Sequence, residues 1–345
     1  MYRIVIDGMG GDFAPDEIMK GVHAALEEDP EIFAIIVGDE KKLEPLVEEL
    51  GLPADRFRIV HTEQFITMDD PPKEALDLKP EASIIVASKL LAAGEGDALV
   101  SAGNTGATIL AASRNIPRMP GIERAALAAV FPAVKNHPDD PGKTIMLDVG
   151  ATLHCTPNQL VNFAFMGKHY AAEVLGIENP RIALLNIGEE DTKGHEVLVE
   201  THAKLREIPE LHFIGNVEGK DIMRGVADVI VTEGYVGNIV LKALEGLAEL
   251  AFEMGKKAWK KNVVAKMGIA MLAPLIRKVK HRVDYTEYGG APILGFQKLV
   301  VKAHGRSNAK AIKNAILLAK KSAENRMVEM LQHSIKEYYL HMLEG

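Results

Sequence analysis

One glycine-containing pattern occurs twice in the chain. Segments 97–106 (DALVSAGNTG) and 228–237 (DVIVTEGYVG) carry an acid, an apolar run, a hydroxyl and two glycines at matching positions. Each pattern is typical of a short buried strand that turns into a helix. The first backbone N–H groups of a helix have no partner inside it, so such a turn can bind a phosphate or a carboxylate. Any tight strand-to-helix turn needs glycine too, so the matched pair favours an anion site only slightly.

Small and polar residues follow several other runs that are typical of strands. Asp7 leads into a turn that ends at Gly11, Asp148 leads into Val149-Gly150, and Asn186 begins a loop that ends at Gly194. In an open parallel sheet the carboxyl ends of the strands lie at one edge, and ligands bind there. We therefore expect all of these turns to meet in one crevice, which is stronger evidence for a site than any single turn.

Charged residues in these turns have alternative roles. Lys193 could neutralise a bound phosphate or a developing oxyanion, or it could be a solvated surface lysine. The acids at strand ends, which are Asp7, Asp12, Asp148 and Glu233, could hold a divalent metal. A structural role as hydrogen-bond acceptors is favoured for them, so no metal is predicted.

Composition and missing motifs exclude several classes of protein. The net charge of −8 argues against nucleic acid as a partner. A single cysteine, Cys155, rules out an intrachain disulfide and favours a reducing cytoplasm. No dinucleotide fingerprint, P-loop, H-E-x-x-H or G-x-S-x-G pattern occurs. His154 precedes Cys155, but adjacent side chains rarely face each other, so a nucleophilic Cys155 is disfavoured. Neither a secretion signal nor a membrane-spanning run is predicted.

The elements that must position these residues alternate between strand and helix. Apolar runs of strand length alternate with periodic helical stretches, which predicts three αβα layers around a mostly parallel sheet. The predicted strands are 3–7, 33–37, 58–61, 98–101, 126–131, 144–148, 181–186, 212–214, 229–232 and 298–302. The predicted helices include 17–28, 41–50, 80–93, 158–175, 196–207 and 238–257. A packing helix capped by Ser307 is predicted to continue through Met330. No linker divides the chain, so 1–345 is predicted to be one α/β domain.

Segment 254–283 is both basic and apolar. It holds nine lysines and arginines and no acid. Pro274 and Gly268 predict a helical hairpin, with Trp259 at one end. Such a segment suits an anionic membrane surface, a dimer contact, or both. Its predicted membrane-contact residues are Trp259, Ile269, Met271, Leu272, Leu275 and Ile276.

The motifs, taken together, resemble the bacterial phosphate acyltransferases of phospholipid synthesis (acyl-acyl carrier protein:phosphate transacylases). The blocks that carry the resemblance are DGMGGDFAP (7–15), SAGNTGA (101–107), LDVGA (147–151), LNIGEE (185–190) with KG (193–194), GNVEG (215–219), GYVGNIVLK (234–242), HG (304–305) and NAKAIKNA (308–315). They occur in the family's order. Phe13, Thr152 and Glu233 depart from the residues usual in the family, which puts direct ligand contacts at Phe13 and Thr152 in doubt.

The resemblance implies an activity and a set of partners. Inorganic phosphate would attack the thioester of a long-chain acyl group on acyl carrier protein and give acyl phosphate, with no cofactor. The implied protein is a cytoplasmic homodimer that associates peripherally with the membrane and passes acyl phosphate to a membrane acyltransferase. The implied fold is similar to isocitrate and isopropylmalate dehydrogenases and to phosphate acetyltransferases.

The resemblance also implies site residues. Lys193, Asn238 and His304 are the predicted catalytic residues, although a packing role for His304 is an equal alternative. The predicted substrate-binding residues are Asp7, Gly10, Gly11, Gly103, Asn104, Thr105, Gly106, Asn186, Gly194, Asn216, Glu218 and Gly237. The glycines would offer backbone N–H groups to phosphate.

Other functions remain open from the sequence. A phosphate acyltransferase that uses short-chain coenzyme A thioesters and a decarboxylating dehydrogenase on a related fold are the enzyme alternatives. A membrane-surface protein that binds acyl lipids without catalysis is the non-enzyme alternative.

Overall fold

The computed structural model describes residues 1–138, 140–261, 266–267 and 289–344. Over these residues the chain forms eleven strands and ten α-helices. The strands are β1 (Tyr2–Asp7), β2 (Ile32–Gly38), β3 (Phe57–His61), β4 (Ala98–Ser101), β5 (Ala126–Pro132), β6 (Lys143–Leu147), β7 (Ile182–Leu185), β8 (Phe213–Val217), β9 (Val229–Val231), β10 (Ala291–Leu294) and β11 (Leu299–Lys302). The helices are α1 (Asp16–Glu28), α2 (Glu40–Leu50), α3 (Pro72–Leu78), α4 (Ser83–Ala92), α5 (Thr105–Asn115), α6 (Pro157–Tyr170), α7 (Glu196–Arg206), α8 (Gly234–Lys261), α9 (Ala309–Glu324) and α10 (Met327–Glu344).

The strands form one sheet in the order β3-β2-β1-β4-β11-β10-β5-β6-β9-β7-β8. Seven of its ten neighbouring pairs are parallel, which confirms a mostly parallel sheet. The three antiparallel pairs are β11 with β10, β10 with β5, and β5 with β6. Three reversals in succession leave β6, β9, β7 and β8 running opposite to β1, β2, β3, β4 and β11.

This reversal corrects the prediction that all the glycine turns meet at one edge. The carboxyl ends of β1, β4 and β11 lie at one edge of the sheet, called here the β1 edge. The carboxyl ends of β6, β7, β8 and β9 lie at the opposite edge, called here the β6 edge. The two copies of the repeated pattern end β4 and β9, so the two edges receive one copy each.

Apolar side chains cover both faces of the sheet. On one face Ile4 and Ile145 pack with residues of α1, α6 and α9. On the other face Val5 and Val300 pack with residues of α3, α4 and α5, and the partly buried Val240 of α8 joins them. A sheet covered on both faces confirms the three predicted layers. The closer likeness to isocitrate and isopropylmalate dehydrogenases stays a prediction, as does the single domain.

Two elements, strand β10 and helix α3, were not predicted from the sequence. Strand β10 has four residues, contains Pro292 and follows two glycines, so its pattern is typical of a turn. Helix α3 has seven residues and begins with Pro72, which is too short for a clear helical period. Strand β10 matters most, because it begins the reversal of strand direction.

The C-terminal helix differs from its prediction in two ways. Asn308, not Ser307, caps α9: its side chain accepts from the Ala311 N–H at 3.0 Å. The predicted apolar stripe is also interrupted, because Arg326 has a φ of 53° and separates α9 from α10. Beyond the break, Met327 is buried but Met330 is exposed.

The predicted hairpin lies mostly outside the described residues. Ile269, Met271, Leu272, Leu275 and Ile276 are not among them, whereas Trp259 lies on α8 and is 43% exposed. Within the described part of the chain, no helix has the length and apolarity needed to cross a bilayer.

Candidate active site

A buried carboxylate lies at the β1 edge. Asp7 ends β1 and is 2% exposed. Ser83 Oγ donates to its Oδ1 at 2.6 Å, and Ser101 Oγ donates to its Oδ2 at 2.8 Å. Burial raises the pKa of Asp7, although both serine hydrogen bonds oppose the rise. The first residue of α4 and the last residue of β4 are thereby fixed to the end of β1.

Close approach explains the glycines around Asp7. A Cβ at Gly10 would lie 2.3 Å from Asp7 Oδ2 and 2.8 Å from the Gly103 nitrogen. The Gly103 N–H donates to Ser101 Oγ at 3.1 Å. Gly10 and Gly103 therefore let two turns meet over one carboxylate, and the Gly103 N–H is already paired.

The start of α5 beside this carboxylate is partly satisfied. Asn104 Oδ1 accepts from the Ala107 N–H at 3.1 Å, and its amide donates to the Met68 and Asp70 carbonyls. Asn104 is thus a helix cap that also holds the 68–70 loop. The N–H groups of Thr105 and Gly106 have no acceptor within the helix, as at any helix start.

Two basic residues, Lys302 at the end of β11 and His304 in the turn that follows, lie at the same edge. Lys302 is 5% exposed, and its Nζ donates to the Ala303 carbonyl. Burial lowers the pKa of Lys302 to about 7, and Asp7 opposes this lowering. Burial also lowers the pKa of His304. His304 Nδ1 accepts from the Arg306 N–H at 3.2 Å, which places the proton of a neutral ring on Nε2, 3.8 Å from Glu245 Oε1.

A pocket that is partly open to solvent lies at this edge. The loop after β1 and residues 65–69 line it. Met9, Phe65, Ile66 and Met68 supply apolar walls, and Asp12 supplies a carboxylate. The Asp12 N–H donates to the Gly305 carbonyl at 2.9 Å, which joins the pocket to the turn after β11.

The β6 edge has its own buried carboxylate. Asp148 follows β6 and accepts backbone N–H groups from Leu127 at 2.8 Å, Gly150 at 3.0 Å and Thr152 at 2.5 Å. Burial raises the pKa of Asp148 to about 6, and these donors oppose the rise. Glu233, also at this edge, accepts from the Cys155 N–H and contacts His195 Nε2 at 3.1 Å. The structural role favoured for Asp148 and Glu233 is confirmed.

Two asparagines shape the loop that carries Lys193. The Asn186 amide donates to the Lys193 carbonyl at 2.9 Å, and the Asn216 amide donates to the Glu190 carbonyl at 2.7 Å. Both amides therefore hold the backbone of the loop in place. The Lys193 ammonium is half exposed and lies 3.9 Å from Glu190 Oε1.

Three further predicted site residues lie at the β6 edge. Gly194 completes the Lys193 loop with a φ of 91°, where a Cβ would lie 2.7 Å from Asn186 Oδ1. Glu218 contacts Lys220 beside this loop. The Gly237 N–H donates to the Glu233 carbonyl at 2.9 Å inside the first turn of α8, so it is already paired.

Helix α8 connects the two edges. It begins at Gly234, whose N–H donates to the Thr152 carbonyl at 2.9 Å at the β6 edge. Asn238 is exposed one turn further along, beside Gly150. Glu245, three turns along α8, reaches His304 at the β1 edge. The predicted catalytic residues are thus divided: Lys193 and Asn238 lie on the β6 side, and His304 lies at the β1 edge.

Comparison with known proteins identifies the family. Residues 2–330 match the family model described as fatty acid synthesis protein. A phosphate acyltransferase from Moorella thermoacetica is 47% identical over 332 residues, which cover 95% of this chain and 94% of the relative. A phosphate acyltransferase from Heliobacterium modesticaldum is 45% identical over 334 residues, covering 96% and 97%. The chain belongs to the phosphate acyltransferase family of enzymes. The resemblance drawn from its motifs is therefore confirmed.

Solved structures support the fold of this family member. A phosphotransacetylase from Streptococcus pyogenes aligns with a TM-score of 0.61 and 18% identity over 94% of each chain. A branched-chain phosphotransacylase from Enterococcus faecalis V583 aligns with a TM-score of 0.57 and 17% identity, covering 94% of this chain and 99% of that one. At such identities the likeness shows the fold alone.

The structure bears on one further sequence expectation for this phosphate acyltransferase. Cys155 is 7% exposed, and burial raises the pKa of its thiol to about 12. It is therefore a poor nucleophile near neutral pH, in agreement with the expectation.

Two residues of the β1 edge, Ser83 and Lys302, were not predicted from the sequence. Lys302 carried a usable signal, because it is a lone lysine at the end of the apolar run LVVK, where a buried position is expected. Ser83 carried none, since only the packing of α4 against β1 brings it to Asp7.

Proposed function

We propose that the protein transfers a long-chain acyl group from acyl carrier protein to inorganic phosphate, giving acyl phosphate for phosphatidic acid synthesis. The observation that carries this proposal is the 45–47% identity to phosphate acyltransferases over nearly the whole chain. The chemistry of the described residues supports it. Cys155 is buried with a raised pKa, and the hydroxyls of Ser83 and Ser101 are buried, each donating to the Asp7 carboxylate. Phosphate itself would then be the nucleophile.

The reaction needs positioning and charge stabilisation more than protein nucleophiles. A phosphate oxygen attacks the thioester carbonyl carbon, and the carbonyl electron pair moves onto oxygen to give a tetrahedral oxyanion. When this intermediate collapses, the C–S bond breaks and the carrier thiolate leaves and takes up a proton. Lys193 and Asn238 are our candidates for stabilising the oxyanion, and His304 is our candidate for assisting proton transfer.

The N–H groups at the start of α5, those of Thr105 and Gly106, would bind phosphoryl or carbonyl oxygens. The N–H groups of Gly10, Gly103 and Gly237 already have acceptors, so these glycines would act by allowing close approach. The amides of Asn186 and Asn216 act instead through the Lys193 loop, which they hold in place. No cofactor or metal takes part in this scheme.

We further propose a cytoplasmic homodimer that binds the surface of an anionic membrane and delivers acyl phosphate to a membrane acyltransferase. The basic segment 254–283 supports this, because lysines and arginines near an anionic leaflet contribute about 1 kcal/mol each. The same segment remains a candidate for the dimer contact.

The activity is tested with palmitoyl-acyl carrier protein and purified protein, with and without inorganic phosphate, by following the free carrier thiol. We expect release that depends on phosphate and a product that reacts with hydroxylamine. Release without phosphate would indicate a thioesterase. Activity only with coenzyme A thioesters, NAD-dependent absorbance changes, or vesicle binding without thioester loss would favour the three alternatives.

Membrane association is tested on the basic segment. We expect the double variant Leu272→Glu/Ile276→Glu to lose binding to anionic vesicles in co-sedimentation, because two carboxylates oppose both insertion and charge attraction. The matched control is Leu78→Glu/Val134→Glu, at two exposed apolar positions elsewhere, which should sediment as the unmodified protein does. Persistent binding of the first variant would show that another surface binds the membrane.

A further inference from the structure

The ammonium of Lys302 is buried with few partners. Among residues 1–138, 140–261, 266–267 and 289–344, no carboxylate oxygen is within 4 Å of its Nζ, and its acceptor is the Ala303 carbonyl. An ammonium has three N–H donors, and leaving donors unpaired in a protein interior is costly. A buried lysine that lowers the stability of the fold in this way is better explained by a role in binding a ligand than by a role in packing.

The charges around Lys302 favour an anion. Lys242 of α8 lowers the pKa of both Lys302 and His304. The Lys242 ammonium and His304 Nε2 approach the same Glu245 carboxylate, at 2.7 and 3.8 Å. The acids nearby are Asp7, Asp12 and Glu245. Asp7 accepts from two serines, and Glu245 accepts from Lys242 at 2.7 Å, so two of these acids already have donors.

The position of Lys302 provides access for a ligand. It ends β11 at the β1 edge, where the turn after β11 is hydrogen-bonded to Asp12 of the pocket. The Asp12 carboxylate acts electrostatically on Lys302, and it lies close to the turn after β11, where a Cβ at Gly305 would be 3.6 Å from Asp12 Oδ2. The glycine turn at Gly10 and Gly11 and the start of α5 lie at the same edge.

We propose that Lys302, together with Lys242 and His304 Nε2–H, binds the phosphoryl group of the phosphate substrate at the β1 edge. The choice of inorganic phosphate rests on the proposed function, whereas the anion site itself does not. Lys242 lies about one turn along α8 from Asn238, so this helix carries a proposed phosphate contact and a proposed oxyanion contact on one face.

The matched variants are Lys302→Met and Lys298→Met. Methionine keeps the length of the apolar stem as far as Cε and removes the ammonium. Lys298 directly precedes the same strand, at the end of β11 opposite to Lys302. Binding of inorganic phosphate is measured by isothermal titration calorimetry without acyl carrier protein, and unfolding is followed by calorimetry.

We expect Lys302→Met to bind inorganic phosphate roughly 10- to 100-fold more weakly, the loss typical for a hydrogen-bonded charged group. Without phosphate, this variant should melt at a higher temperature than the unmodified protein, because an unpaired buried ammonium has been removed. Lys298→Met should bind phosphate as the unmodified protein does.

Proton uptake gives an independent readout. Because the folded pKa of Lys302 is about 7 and an unfolded lysine has a pKa near 10.5, the unfolded chain binds more protons between these values. The contribution of Lys302 to the free energy of unfolding therefore rises with pH from about 7 to 10.5. A bound anion would restore the charge, so phosphate binding at pH 8 should take up about one proton in the unmodified protein and none in Lys302→Met.

Three results would overturn the proposal: unchanged phosphate affinity in Lys302→Met, a lower melting temperature in that variant without phosphate, or binding of phosphopantetheine but not of inorganic phosphate. The last result would assign the site to a phosphate ester of the carrier arm instead. None of these measurements involves acyl transfer. The phosphate site at Lys302 can therefore be refuted while the transacylase activity is confirmed, and the activity can be refuted while the site is confirmed.

Discussion

Replacing Lys193 with alanine is expected to lower kcat by roughly 10²-fold or more, the usual loss when a group that stabilises an oxyanion is removed. The reason lies in the loop. Two buried amides hold its backbone, so the ammonium is presented from a fixed support and not from a mobile surface segment. Phosphate-dependent release of the carrier thiol at saturating substrates measures the effect.

The matched control is Lys204→Ala. Lys204 is part-exposed on α7 and pairs with Glu200 one turn away, outside the loops that we assign to the reaction. It should keep the rate of the unmodified protein, and a rate near that value for Lys193→Ala would refute the catalytic role. Because Lys302 lies at the other edge, Lys193→Ala should also bind inorganic phosphate with unchanged affinity.

One mixing experiment tests whether Lys193 and Lys302 act within one chain or across the two chains of the proposed homodimer. Lys193→Ala and Lys302→Met protein are unfolded together, refolded and assayed. Recovery of activity would mean that residues from two chains of the proposed homodimer act on one substrate. Failure to recover would mean that the edges are connected inside one chain, along α8 from Gly234 to Glu245.

The layers of the fold were predictable because strand and helix periods are strong in this chain. All ten predicted strands are present, with bounds that differ by at most three residues. The direction of the strands was not predictable, since it depends on β10, a four-residue strand that contains a proline. One short element therefore decided that the glycine turns divide between two edges, although the turns themselves were recognised.

The candidate site was predictable only where backbone geometry dictates the residue. Gly10 and Gly103 stood out because a buried carboxylate leaves no room for a Cβ. The asparagines were recognised as functional, but their partners are loop carbonyls whose positions no spacing rule gives. The environment of Lys302 depends on Asp7, Asp12 and Lys242, which lie far from it in sequence, so its pKa could not be inferred from its sequence neighbours.

Replacing Gly237 with alanine is expected to destabilise the fold by about 3 kcal/mol or more, the upper range for overpacking. A Cβ at this position would lie 1.9 Å from the Asp148 carbonyl oxygen, and that backbone is held by the N–H groups that bind the Asp148 carboxylate. Neither side can move without breaking the turn after β6. Urea unfolding measures the loss as a lower midpoint.

Gly246→Ala is the matched control on the same helix. A Cβ there would meet nothing within 4 Å, so the change should stabilise α8 by up to about 1 kcal/mol through helix propensity alone. If the two variants unfold alike, the close approach of α8 to Asp148 is wrong. If they differ as expected, Gly237 is required first for packing, because its N–H already bonds to the Glu233 carbonyl. The second copy of the repeated pattern would then differ in purpose from the first, where the start of α5 faces the proposed phosphate site.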